Sequence, residues 1–194
     1  MNGFEKRAAL KQKQIIRAAY DLFLKQGVKN TTMQMIAKSA NVSQVTIYNY
    51  YESKDNVLYY VAQLFFEKYT REFEAIVYDA SQSFEEKMNT LIEFEINYVK
   101  DLNIDLIEGF HTTKSSKMNA LRAWYDNNRI YVGMEHLIRE GKKEGIVNKM
   151  IDNESIILFI ELIRGVGDRP EINNKKRLID LFHLSFYGIG GKQS

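Results

Sequence analysis

Apolar residues recur along this chain at the spacing of an α-helix, and almost nothing interrupts them. Ile15, Ile16, Ala19, Leu22 and Phe23 fall at i, i+1, i+4, i+7 and i+8, while Lys11, Lys13, Arg17 and Lys25 lie largely off that stripe. One proline and 11 glycines in 194 residues leave few places where a helix must stop. No stretch alternates with the period of a strand, and there is no internal repeat or low-complexity segment. The expected fold is all-α, with about nine helices and length enough to bury a core.

The punctuation places the helices. Gly27 ends the first. A second begins at Thr31 or Thr32, where Thr31-Thr32-Met33-Gln34 fits a Thr-x-x-Gln capping box, and breaks at Ala40-Asn41. Ser43 caps a third, and Ser53 caps a long fourth that carries Val57, Leu58, Val61, Leu64, Phe65, Tyr69, Phe73 and Ile76. Five more candidates lie near 84–101, 104–111, 117–142, 152–167 and 172–187. Breaks are expected at Asp79–Ser83, Thr112–Ser116, Gly145–Met150 and Gly167–Pro170.

Charge divides the chain more clearly than its net value of +2 suggests. Residues 1–60 hold nine Lys or Arg against four acids, an excess of five; the rest holds 18 against 21, a deficit of three. An amino-terminal unit that binds an anion, nucleic acid or a membrane surface, is the reading. Met1–Leu10 carries charges where a signal peptide has an apolar stretch. The longest apolar run, Ile156–Ile160, is far short of the roughly 20 residues that span a bilayer. A soluble, cytoplasmic protein is expected. The absence of cysteine removes disulfides, thiolate metal sites and thiol redox sensing. With only His111, His136 and His183, widely spaced, neither a metal nor a catalytic triad is expected, and no cofactor.

Residues 31–51 read as a helix-turn-helix. Two crossing helices need a small residue at their contact, a turn residue tolerant of positive φ, and apolar residues on the second helix that face back. Ala37, Asn41, and Val42 with Ile47 and one aromatic meet those needs. The free face then holds Ser43, Gln44, Thr46, Asn49 and Tyr50, with Tyr48 at its margin, all able to hydrogen-bond to base edges or phosphates. The same spacings also fit two ordinary helices joined by a turn.

Residues 9–69 resemble the DNA-binding domain of the TetR family of bacterial transcriptional regulators. The shared pattern runs in order through Ala18-Ala19, Leu22-Phe23, Gly27, Thr31-Thr32, Ile36-Ala37, Val42-Ser43, Ile47-Tyr48-Asn49-Tyr50-Tyr51 and Ser53-Lys54-Asp55. Three positions depart from it. Asn41 stands where the family usually has glycine, Val45 where it often has glycine or alanine, and Tyr51 where it has phenylalanine. The resemblance implies a helix-turn-helix at 32–51 within a DNA-binding domain at 9–69, and a helical effector-binding and dimerisation domain at 70–194. It implies that Thr32, Tyr48, Tyr50 and Lys54 hold phosphates and that Gln44, Val45, Thr46 and Asn49 meet bases. Ser43 serves as cap and phosphate contact. Each has a plainer alternative: Thr32 as a cap only, Lys54 as a solvated lysine, Tyr48 as core.

The remainder is read with the same resemblance in view. A small reading head calls for a symmetric homodimer on a pseudo-palindromic operator in double-stranded DNA. Ile156, Phe159, Ile160, Ile163, Leu178, Phe182 and Phe186, on two helices apolar almost all round, are the expected interface, against a monomer with two central core helices. Phe94, Tyr98, Phe110, His111, Met118, Trp124 and Tyr125 are candidates for a small apolar or amphipathic ligand, or simply for core. The stretch from Arg139 to Glu144 reads as a solvated helix end. The expected function is a ligand-released repressor. The alternatives are control by a protein partner, or activation. An enzyme would draw on Glu93, Glu95, Asp101, Asp105 and Glu108, which read better as surface charges and have no nucleophile or phosphate loop beside them.

Overall fold

The computed structural model describes residues 3–101, 105–106, 109–110, 113, 115–166, 176, 180–181 and 184. The described residues contain helices and no strand. In chain order these are α1 (Gly3–Gln26), α2 (Met33–Ser39), α3 (Gln44–Tyr51), α4 (Lys54–Val77), α5 (Phe84–Asp101), α6 (Ser116–Tyr125), α7 (Tyr131–Lys143) and α8 (Asn153–Val166). A π-helical turn, Asp126–Ile130, joins α6 to α7 without a break in helical backbone, so the two form one helix and the elements bounded among the described residues number seven, where about nine are expected of the whole chain. Of the candidate at 104–111, residues 105–106 and 109–110 are described and helical; of that at 172–187, residues 176, 180–181 and 184 are described and helical, and the rest of both lies outside the described residues.

The chain forms two compact units, one from Met1–Lys68 and Leu102–Arg122, the other from Tyr69–Asp101 and Ala123–Ser194. In the first, Ile15, Ala19 and Phe23 of α1 are fully buried, as are Ile36 of α2, Ile47 of α3, and Val57 and Val61 of α4. Leu106, Phe110 and Met118 are buried in the same unit, the Phe110 ring 5.2 Å from that of Phe65. The loop after α1 is fastened. Gly27 takes φ +82°, and an added Cβ there would stand 2.5 Å from Asp105 Oδ2. Buried Thr31 donates to the Gly27 carbonyl (2.8 Å) and accepts from the Gln26 side-chain Nε2 (3.2 Å).

The second unit buries Phe73 and Val77 of α4, Phe84 and Leu91 of α5, Ile130, and Met134 and Leu137 of α7, with Ile160 of α8 packed on them. Ser83 and Glu86 form a reciprocal capping box at the start of α5, and these bonds hold the Glu86 carboxyl below its ordinary pKa. Arg139–Glu144 is not merely a solvated end. Glu140 pairs with Lys87 at 2.7 Å, a lysine almost wholly buried, and Glu144 accepts from the Phe84 amide at 3.2 Å. A buried ammonium needs such a partner, since desolvating it unpaired costs several kcal/mol.

Candidate nucleic-acid interface

The site is built from the second and third helices and the turn between them. Thr32, in extended backbone (φ −105°, ψ 158°), is the N-cap of α2 and accepts from the Met35 amide at 3.2 Å. The capping box expected from Thr31 does not form: Thr31 turns inward to Gly27, and the N-cap falls one residue later, at Thr32. The turn is closed by the Ala40 amide on Ile36 O (2.9 Å) and the Val42 amide on Ala37 O (3.0 Å). Asn41 between them takes φ +52°, the left-handed conformation that asparagine tolerates better than other residues with a Cβ.

Ser43 then caps α3. Its Oγ accepts from the Thr46 amide at 3.1 Å and lies 2.8 Å from the Thr46 hydroxyl. At the other end, Glu52 leaves the helix with φ +60°, its amide on Tyr48 O at 2.8 Å. Ser53 caps α4 through the Asn56 amide at 3.2 Å.

The back of α3 is fixed by Ile47, fully buried, and Tyr51, 4% exposed. The Tyr51 hydroxyl donates to the Gln12 carbonyl of α1 at 3.2 Å, and its ring meets that of Tyr60 edge-on at 5.2 Å. Burial, and then the neighbouring Tyr60 and Tyr50, push the Tyr51 hydroxyl up to about 12. The sequence marked Tyr51 as a core ring in place of phenylalanine. The bond its hydroxyl makes, from a residue 39 positions away, has no local signal.

The other face is open. Gln44, Val45, Tyr48 and Asn49 are exposed, Val45 at 66% and Tyr48 at 44%; Thr32 and Ser43 are exposed beside them. Thr46, Tyr50 and Lys54 are half-buried. Burial lowers the Lys54 ammonium below its ordinary pKa, against the opposing pull of Asp55. The nine residues singled out in the sequence therefore lie on one capped helix and its flanks, six exposed and three half-buried.

The other expected sites are more dispersed. Phe94 and Tyr98 form an aromatic triad with Tyr69 in the second unit, centroids 4.9–5.2 Å apart, and Tyr125 is buried there while Trp124 is 52% exposed. Phe110 and Met118 are buried in the first unit. His111 lies outside the described residues. Along α8, Ile156 and Ile160 are half-buried, while Leu158, Phe159 and Leu162 are exposed. The Ile163 side chain, Leu178, Phe182 and Phe186 lie outside the described residues. Of the acids considered for catalysis, Glu93 is exposed, Glu95 accepts from the Tyr69 hydroxyl, and Asp105 lies against Gly27. The Asp101 side chain and Glu108 lie outside the described residues. Among the described residues, no three His or acidic side chains are grouped to hold a metal, and no helix is long and apolar enough to cross a membrane.

Residues 15–61 match the family described as bacterial regulatory proteins, tetR family. An HTH-type transcriptional regulator of Staphylococcus aureus (strain USA300) is 27% identical over 100 residues, 52% of this chain and 51% of that protein. The chain thus spans about half the length of the curated relatives it matches. Among solved structures, a TetR transcription regulator from Haloarcula marismortui aligns with a TM-score of 0.71 at 18% identity, covering 91% of this chain and 95% of that one. A transcriptional regulator from Saccharomonospora viridis in complex with choline gives 0.71 at 19%, covering 90% and 92%. The regulator FadR from Bacillus subtilis in complex with stearoyl-CoA gives 0.61 at 18%, covering 91% and 98%. At these identities the structures establish a shared fold.

Proposed function

We infer that this chain, which belongs to the TetR family of bacterial regulatory proteins, is a helix-turn-helix transcriptional regulator that binds operator DNA as a homodimer and represses until a small ligand releases it. The observation that carries the DNA-binding part is the open face of α3. Four exposed side chains stand on a helix capped at its start and anchored from behind by Ile47 and Tyr51. A reading element needs that combination, since base-edge hydrogen bonds reward only side chains held in register with the groove. Thr32, Ser43, Tyr48, Tyr50 and Lys54 would take phosphates, and the excess of five positive charges in residues 1–60 would draw the duplex in.

Pairing is assigned to α8 and the segment after it. Leu158, Phe159 and Leu162 leave a large apolar surface open on a helix whose other side packs on the core, and a second copy of the same helix would cover it. Ligand sensing is assigned to the second unit, where Tyr69, Phe94 and Tyr98 gather three aromatic rings. Such rings suit a small apolar or amphipathic molecule, and two structural neighbours carry choline and stearoyl-CoA. A ligand that binds better to a conformation with unsuitable half-site spacing shifts the population away from DNA.

The test is selection of bound duplexes from a random pool by the full chain, followed by sedimentation of protein and complex. Enrichment of a dyad-symmetric sequence bound by two copies is expected. Failure to enrich any such sequence, or a complex with one copy, contradicts the reading.

A further inference from the structure

The composition of the open face says which bases it suits. α3 has the sequence Gln-Val-Thr-Ile-Tyr-Asn-Tyr-Tyr and contains no lysine or arginine. The commonest reader of guanine, a cationic fork on its O6 and N7, is therefore missing from the helix. In its place stand two amides, Gln44 and Asn49, both exposed. An amide pairs bidentately with adenine, through N6 and N7.

Val45 is the residue that most requires an explanation. Its side chain is 66% exposed, the most exposed large apolar group on either helix of the motif, on a face otherwise made of polar and phenolic groups. It sits at the middle of that face. Tyr48 is three residues on and Asn49 four, so both adjoin it on the helix surface, while buried Ile47 points the other way. Thr46, the other residue considered for base contact, is half-buried, with its hydroxyl 2.8 Å from Ser43 Oγ in the cap. In a major groove the apolar feature that distinguishes one base from the rest is the 5-methyl group of thymine. The four residues from Val45 to Asn49 advance about 6 Å along the helix, and base pairs rise about 3.4 Å, so the two side chains reach pairs one or two steps apart.

We propose that α3 reads an A·T segment of the operator half-site, with Val45 seated against a thymine 5-methyl and Asn49 on a nearby adenine. This rests on the reading of α3 as the recognition helix. The experiment keeps the two separable. Once a dyad-symmetric site has been selected, each thymine of the half-site is replaced in turn, symmetrically, by deoxyuridine, which removes the methyl and leaves every hydrogen bond. The full chain and its Val45→Ala variant are then compared on each duplex by fluorescence anisotropy. Val45 is exposed, so the variant should keep its fold, checked by circular dichroism.

One thymine position should weaken wild-type binding by about fourfold per methyl, or about 15-fold for the symmetric pair. Val45→Ala should bind the thymine duplex correspondingly less tightly and be indifferent to the deoxyuridine. A selected site without such a thymine, or a methyl effect of equal size in wild type and variant, overturns the assignment of Val45 while the DNA-binding reading stands. If no duplex is selected at all, both fall.

Discussion

The helices α3 and α8 each pack one face and leave the other open, yet their open faces differ in kind. On α3 the outward residues are Gln44, Tyr48 and Asn49 around a single valine; on α8 they are Leu158, Phe159 and Leu162. Water is a tolerable neighbour for the first set and a poor one for the second. A face of hydrogen-bonding groups persists in solvent until a partner with matching groups arrives. A face of large apolar groups is stabilised chiefly by being covered. That contrast underlies the assignment of α3 to a transient partner, DNA, and α8 to a permanent one, a second copy.

The strongest perturbation acts on α8. Replacing Leu158 and Leu162 together by glutamate places four charges in the symmetric interface, and association should weaken by at least about a hundredfold. Sedimentation would then find monomer at micromolar concentration, with helicity retained. An unchanged dimer would move the pairing surface elsewhere.

Next is the packed side of α3. Ile47→Ala empties a fully buried site and should cost about 2–4 kcal/mol of stability, measured by urea denaturation. A smaller effect follows from the turn. Asn41→Val forces a β-branched residue to φ +52° and should cost about 1–2 kcal/mol, whereas Asn41→Gly should be close to neutral. A valine variant as stable as wild type would show that the turn does not hold this conformation.

The smallest effect is at Tyr51. Tyr51→Phe loses one hydrogen bond to a helical carbonyl, about 1 kcal/mol or less. It also has a pH signature. Because the folded pKa is raised from 10.0 to about 12, unfolded Tyr51 ionises first. Its contribution is therefore complete below pH 10 and is lost as pH rises toward 12. The phenylalanine variant should lack that part of the alkaline loss, visible as a shallower fall of the urea midpoint between pH 10 and 12.

Legibility in the sequence followed the range of the interactions. Ser43 and Ser53 were readable as caps because a cap is satisfied within three residues. Asn41 was readable as a turn residue, and Ile47 as a back-facing one, from spacing alone. Thr31 and Thr32 could not be told apart locally: what separates them is the bond from Thr31 to Gly27 that draws one threonine inside. The Tyr51–Gln12 bond, the buried Lys87 with Glu140, and the ion pair of Arg129 with Glu74 join residues 39, 53 and 55 apart, which no window of helical periodicity spans. The π-helical turn at Asp126–Ile130 lies inside a run that reads as one uninterrupted helix: its extra residue widens the step between buried Tyr125 and Ile130 to five, and one such step does not end a helical pattern. The difference between α3 and α8 was visible as polar against apolar sequence, but exposure of one side of α8 required the fold.

The central claim is that the open face of α3 is the DNA-reading surface. Its most direct test compares wild type with a Gln44→Ala, Tyr48→Ala, Asn49→Ala variant on the selected dyad duplex and on an unrelated duplex, at 50 and 200 mM salt. Wild type should discriminate the two duplexes by about a thousandfold or more, and its affinity should fall by about 10²–10³ between the two salts if four to six phosphates are neutralised per dimer. The variant, folded and with all its cations, should keep the salt dependence and retain no more than the about 15-fold preference that Val45 supplies. A variant that still prefers the selected duplex as strongly as wild type would contradict the account.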